Sequence, residues 1–274
     1  MVPRRPQPTY EHNKEAAIGP GPDFLRLLAC RFIDRLPKRV RVELGVWCYR
    51  NKDECFNIGT MCSGTECPVL VWQAWVEALK LKFGHAPSWH HSLGCERDRH
   101  KSHFIKTMFP KLLLFCDVLE LGDDEATTWP DKFMQLVPSD LQVLFAGFPC
   151  TSASTLNIHS GSEENRNCVE NGDLATGAVF AGILKFLDKH GSKLRIIILE
   201  NVLALAKKGK NGAVSNLDSV FKKLRQRGWW AKVWHLQPRD NGTPASRPRV
   251  WLLCAPLWLF QRKGWTEDRS KFCR

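Results

Sequence analysis

Three stretches of the chain end an apolar run on residues able to do chemistry. The first, Leu144-Phe-Ala-Gly-Phe-Pro-Cys150-Thr-Ser-Ala-Ser154, closes a buried-strand pattern with Gly147 and Pro149 and delivers a cysteine into a loop of small hydroxyl residues. A cysteine so placed is partly exposed, and backbone N–H groups at a strand end or helix start favour its thiolate. The same letters also fit a structural cysteine in a tight turn. The second stretch, Arg195-Ile-Ile-Ile-Leu-Glu200-Asn201-Val202, ends in a carboxylate and an amide. A carboxylate at the end of an apolar strand is desolvated, which suits it to hold and donate a proton near neutrality. The third, Asn241-Gly-Thr-Pro-Ala-Ser-Arg247-Pro-Arg249-Val-Trp, opens a strand with arginines at i and i+2, which point the same way. A solvated basic edge is the commoner outcome of that pattern.

Positioning these groups requires a sheet, and the periodicity supplies one. Apolar runs predict strands over Phe56 to Met61, His91 to Cys95, Leu112 to Cys116, Val143 to Ala146, Arg195 to Leu199 and Val250 to Cys254. Helical spacing predicts helices over Phe24 to Leu36, Pro68 to Leu81, Arg99 to Met108, Gly177 to His190 and Asn216 to Arg227. Strands alternating with helices imply an α/β fold, Rossmann-like, with a mostly parallel sheet and helices on both faces. In such sheets ligands bind beyond the carboxyl ends of the strands, where Cys150 and Glu200 fall. The Pro- and Gly-punctuated start reads as an arm, so residues 1–55 are expected to be an N-terminal arm and helix and residues 56–274 the catalytic domain.

Composition narrows the class. With 274 residues, 43% of them hydrophobic, the chain can bury a substantial core. Its net charge of +12 is unevenly placed: Met1 to Val202 carries 24 basic and 24 acidic residues, Leu203 to Arg274 carries 16 and 4. The substrate side is therefore expected to meet a polyanion. The 11 cysteines form no C-x2-C pair, which argues against a zinc ribbon and for buried thiols in a reducing compartment. Neither a signal peptide nor a membrane span is visible, and the expectation is a soluble intracellular protein, nuclear if eukaryotic.

Order, spacing and letters together resemble the cytosine-5 DNA methyltransferases. Gly147-Phe-Pro-Cys150 is similar to the family's catalytic Pro-Cys loop, Glu200-Asn201-Val202 to its Glu-Asn-Val, and Gly242-Thr-Pro-Ala-Ser-Arg247-Pro-Arg249 to its Gly-x-Pro-Gln-x-Arg-x-Arg segment. Upstream, Thr60-Met-Cys-Ser63-Gly64-Thr65-Glu66 takes the place of the Gly-rich cofactor loop, Gly94-Cys-Glu96 of the ribose-holding strand end, and Phe115-Cys-Asp117 of the Gly-Asp-Ile that meets the adenine. The resemblance implies S-adenosylmethionine as cofactor, held by Ser63, Gly64, Thr65, Glu66, Glu96 and Asp117. It further implies Cys150 as covalent nucleophile on cytosine carbon 6, with Glu200 on the base edge, Arg249 on its carbonyl oxygen and Arg247 on the base or a phosphate. DNA is the implied partner and the target base must leave the stack; RNA, as in the family's transfer-RNA branch, fits the same motifs, as does a silent nucleic-acid or cofactor-binding remnant.

The chain also departs from the pattern. Thr151 follows the nucleophile where Gln is usual, Ala245 stands where Gln precedes the arginines, and Cys62 replaces a Phe. No separate target-recognition region follows the last predicted strand, so the expectation is a weakly specific DNA methyltransferase, a catalytic part whose target recognition a partner protein supplies, or a remnant that binds without turnover. The loop Thr151 to Arg166 is expected to act as a lid over the extruded base.

Overall fold

Each apolar run foretold as a strand forms one in the computed structural model, which describes residues 22–154, 156–159, 162–208, 214–237 and 247–261. Along the chain lie α1 (Pro22–Arg35), α2 (Lys38–Arg50), β1 (Cys55–Met61), α3 (Cys67–Phe83), β2 (Ser88–Cys95), α4 (Arg99–Met108) and β3 (Leu114–Phe115). There follow β4 (Glu125–Thr127), β5 (Met134–Leu136), β6 (Val143–Ala146), α5 (Glu163–Asn171), α6 (Leu174–His190), β7 (Ile196–Val202), α7 (Asn216–Gln226), β8 (Trp229–Leu236), β9 (Arg249–Pro256) and α8 (Trp258–Gln261). Among the described residues, no helix is long and apolar enough to cross a membrane.

The described residues divide into two compact units, one of residues 22–52 and 70–86, the other of residues 53–69 and 87–261. In the first, Ala29, Cys30, Ile33, Cys48, Ala78 and Leu79 form a small core. Lys82 pairs with Asp34 at 2.7 Å, and Phe32 meets Trp75 edge-on.

The second unit is an α/β Rossmann-like sheet of seven strands in the order β3-β2-β1-β6-β7-β9-β8. Strands β3, β2, β1, β6 and β7 are parallel neighbours. Strand β9 runs antiparallel to both β7 and β8, which brings its first residue to the carboxyl edge of β7. All four residues of β6 are buried, as a central parallel strand covered on both faces requires. Phe180, Ile183 and Leu184 of α6 and Leu217, Val220 and Leu224 of α7 join the sheet residues in one core.

Caps fix the helix starts. The Asp98 carboxylate accepts from the His100 and Lys101 N–H groups, and Ser215 with Asp218 forms a capping box at α7. The expected lid is corrected: its final part is helical, because Ser162 caps α5, acids occupy the first turn, and Gly172 at φ 71° ends the helix. Elements α2, β4, β5, β8 and α8 were also not foretold. In β8, Trp229 is buried in the core and Trp234 is 39% exposed.

The described cysteines are free thiols. Most are buried, but Cys55 and Cys67 are exposed, where the composition had suggested buried thiols.

Candidate active site

Strand order decides where a site can form. The chain leaves the sheet in opposite directions after β1 and β6, and the loops that follow these neighbouring strands open a crevice at the carboxyl edge. The two loops touch. Gly147 N–H donates to Met61 O at 3.0 Å. A Cβ on Gly147 would sit 3.2 Å from Cys62 O, so a side chain here would crowd the loop after β1, and it would stand at ordinary contact distance, 3.5 Å, from Glu200 Oε2.

Cys150 lies on the loop after β6, partly exposed, with its carbonyl accepting from the N–H groups of Ala153 and Ser154 at 3.1 and 2.8 Å. Two tethers hold this loop. Asn201, 1% exposed, donates from Nδ2 to Phe148 O at 3.0 Å. Ser152 N–H donates to Thr176 Oγ1 at 3.2 Å, binding the loop to the first turn of α6. Sequence reasoning assigned no role to Ser152 or Thr176; a hydroxyl two residues after the cysteine was their only signal.

Glu200 differs from the dry carboxylate that the apolar strand suggested. Its Oε1 lies 2.6 Å from Arg249 Nε, and the two side chains are 30% and 18% exposed. The register explains the pair: Val202 faces Arg249 and Glu200 faces Trp251, so Glu200 and Arg249 are diagonal neighbours on one face. Arg249 is fixed further by Nη1 donating to Pro248 O at 2.9 Å. Arg247 is exposed, two residues before β9, and residues 242–246 of the same motif lie outside the described residues.

The residues expected to hold a cofactor divide into two groups. Glu96 and Asp117 follow the neighbouring strands β2 and β3 and converge on Cys62, whose thiol is pushed up to about 12 by burial first and then by these two carboxylates. Glu96 Oε1 accepts from Asp98 N–H at 3.0 Å, and Asp117 Oδ1 accepts from Leu119 N–H at 3.0 Å. Gly64 takes φ 75°, a left-handed value that suits glycine, with open space where a Cβ would stand. Ser63 Oγ is buried and faces the Glu66 carboxyl. Thr65 is exposed, its hydroxyl 3.3 Å from Cys67 Sγ.

Glu66 is turned inward. It is fully buried, 3.7 Å from His91 Nε2. Burial raises its pKa, while the Ser63 and Thr60 hydroxyls pull the other way without offsetting that cost. His91 Nε2 is 3.0 Å from Thr60 Oγ1, and burial lowers the imidazole to about 4, so it is neutral at physiological pH. The structure therefore places Cys150, Glu200 and Arg249 on neighbouring elements at the carboxyl edge of the sheet, sets Glu96 and Asp117 near Cys62 in the loop that carries Ser63 and Gly64, and buries Glu66.

Residues 122–256 match the family described as C-5 cytosine-specific DNA methylase. Over 199 residues the chain is 31% identical to the DNA (cytosine-5-)-methyltransferase DMT5 of Cryptococcus neoformans var. grubii, an alignment covering 73% of this chain and 8% of that protein. It is 26% identical over 129 residues to the type II methyltransferase M.CviJI of Paramecium bursaria Chlorella virus IL3A, covering 47% of this chain and 27% of that one. The chain thus spans well under a third of the curated relatives it matches. A crystal structure of Spodoptera frugiperda DNMT2 superposes with a TM-score of 0.48 at 15% identity, covering 74% of this chain and 50% of that one.

Proposed function

The chain belongs to the C-5 cytosine-specific DNA methylase family, and from that premise we propose that it methylates carbon 5 of cytosine in DNA through a covalent adduct on Cys150. The observation that carries this reading is the Glu200–Arg249 pair at 2.6 Å, with Glu200 Oε2 beside Gly147 of the loop that bears Cys150.

The residues at the carboxyl ends of β1, β2 and β3 fit S-adenosylmethionine. Adjacent carboxylates suit ribose hydroxyls, and a left-handed glycine with free space admits a close approach. Ser63, Gly64, Thr65, Glu96 and Asp117 would hold the cofactor, with Glu66 supporting their loop from below. When bound, S-adenosylmethionine supplies an electrophilic methyl group.

The chain's own residues do the rest. Carbon 5 of cytosine is a weak nucleophile until a thiolate adds to carbon 6, and Cys150 provides that addition. Glu200 engages N3 and the exocyclic amine, stabilising the charge that develops on the ring. Arg249, already aligned by Glu200 and Pro248, takes the carbonyl O2, and the exposed Arg247 takes the base or a neighbouring phosphate. Loss of the carbon 5 proton to solvent then re-forms the ring double bond and expels Cys150 as its thiolate. The base reaches this crevice only outside the duplex stack.

Incubating the chain with tritiated S-adenosylmethionine and DNA or transfer RNA, in parallel with Cys150→Ser, tests the reading. Label on DNA that disappears in the variant supports it, as does a trapped adduct on a 5-fluorocytosine duplex. Transfer that survives the substitution refutes the covalent mechanism, and transfer confined to RNA refutes the substrate.

A further inference from the structure

A cavity of about 670 Å3 lies between one face of α4 and the turn that follows β4. Arg99, His103 and Lys106 line one wall; Trp129, Pro130 and Lys132 line the other. No carboxylate is among the lining residues. The spacing i, i+4, i+7 puts the three basic residues of α4 on one side of the helix. Three of the acids nearby in sequence are engaged elsewhere: Asp98 caps α4, Glu96 accepts from Asp98 N–H, and Asp117 accepts from Leu119 N–H; Asp131, between Pro130 and Lys132, is exposed and does not line the cavity.

Two of the cations are held in place. Lys132 Nζ stands 3.3 Å from the centroid of the Trp129 ring and 3.2 Å from Cys116 Sγ. Lys106 Nζ donates to Pro110 O and Leu112 O at 3.0 and 2.9 Å. Ordering a long cationic side chain is an entropic cost of recognition that these contacts have already met. Trp129 Nε1 in turn donates to Glu96 O at 2.9 Å, which fixes this wall at the carboxyl end of β2. That is the sheet edge on which Cys150 and Glu200 stand.

We propose that this cavity is a second nucleic-acid contact, seating the phosphodiester backbone of duplex DNA that flanks the reacting cytosine. The proposal rests on the reading of a nucleic-acid substrate given above. Dimensions favour a backbone segment over the reacting nucleotide. From Arg99 to Lys106 the helix rises about 10.5 Å, the length of about three nucleotides at about 3.4 Å each. From β6, whose loop carries Cys150, to β3 there are three strand steps in the sheet, about 14 Å at about 4.8 Å each. A phosphate seated here therefore lies about four nucleotides from the cytosine at Cys150.

The test is duplex binding by fluorescence anisotropy across a salt series, with the full chain and the double variant Arg99→Ala/Lys132→Ala. Two lost phosphate contacts lower the slope of log K against log salt by about 1.8 and weaken binding about 30-fold near 0.15 M salt. Lys193→Ala, an exposed cation just before β7 at the opposite sheet edge, is expected to keep the wild-type slope. Melting temperature and calorimetric binding of S-adenosylhomocysteine accompany each variant.

A double variant with the wild-type slope overturns the proposal, as does an equal loss in Lys193→Ala or a wild-type chain with no salt-dependent binding. Loss of S-adenosylhomocysteine binding in a double variant that still melts normally also overturns it, by assigning the cavity to the cofactor. Methyl transfer is scored separately. A wild-type chain that binds duplex but transfers nothing refutes the proposed reaction and leaves the cavity standing.

Discussion

Removing the amide of Asn201 separates positioning of the nucleophile loop from its chemistry. Asn201 touches no reacting group in the proposed mechanism, yet its buried Nδ2 donates to Phe148 O, two residues before Cys150. In Asn201→Ala that carbonyl loses its partner, a cost of about 1 to 3 kcal/mol. For a chain of this size each kcal/mol lowers the melting temperature by about 2 to 4 °C, so a fall of about 5 °C is expected. The second consequence is geometric, since a displacement of about 1 Å at a reacting atom reduces rate by about 100-fold. Asn201→Asp keeps the shape but sets a second acceptor 3.0 Å from a carbonyl oxygen, so it is expected to fall at least as far in rate. The assay pairs differential scanning fluorimetry with steady-state methyl transfer, in which kcat drops while KM for the methyl donor holds. Turnover at the wild-type rate in Asn201→Ala, alongside the expected loss of stability, would refute the argument that this hydrogen bond places Cys150.

Gly177 is expected to tolerate no side chain: a Cβ there would lie 1.8 Å from Cys168 O, so Gly177→Ala must force α5 and α6 apart. A loss of about 1 to 3 kcal/mol by urea denaturation is expected, and an unchanged midpoint would show that the helices yield freely. His91 and Glu66 give stability opposite pH dependences. Because burial lowers His91 to about 4 from 6.5, the unfolded chain binds a proton that the folded one refuses, and stability falls as pH drops through that window by about 3 kcal/mol. Glu66 is raised above 4.5, so the stability it confers is full below 4.5 and is lost as pH rises through its folded pKa. Melting curves against pH should show His91→Gln flattening the acid limb and Glu66→Gln melting higher than wild type near pH 8; a Glu66→Gln chain that melts lower there would contradict the burial argument.

Much of this site was legible in one dimension. Apolar runs marked the strands because a parallel strand covered on both faces must be apolar throughout, and chemistry-bearing letters at their ends marked the loops after β6 and β7. Helices α4, α6 and α7 announced themselves by helical spacing. Strand β8 did not, since this edge strand is buried only at Trp229, and Lys232 and His235 interrupt its apolar residues. Helix α5 was hidden in a polar segment whose Ser162 and first-turn acids were the readable clue.

Three features needed the fold. Arg249 reaches Glu200 because β9 runs against its neighbours and so begins where β7 ends; a parallel strand would have carried it to the opposite edge. Glu66 shares a loop with Ser63 and Gly64, yet the left-handed backbone at Glu66 itself, φ 59°, accompanies a side chain turned inward beneath them. Charge counted along the chain put the basic excess in the last quarter, but pairing redistributes it. Lys222, Arg227 and Arg249 meet Glu170, Asp188 and Glu200 from the neutral part, while that neutral part gathers Arg99, Lys106 and Lys132 around one cavity. Sequence fixes which residues carry charge; helix periodicity and strand direction choose their neighbours, and electrostatic energy depends on those distances.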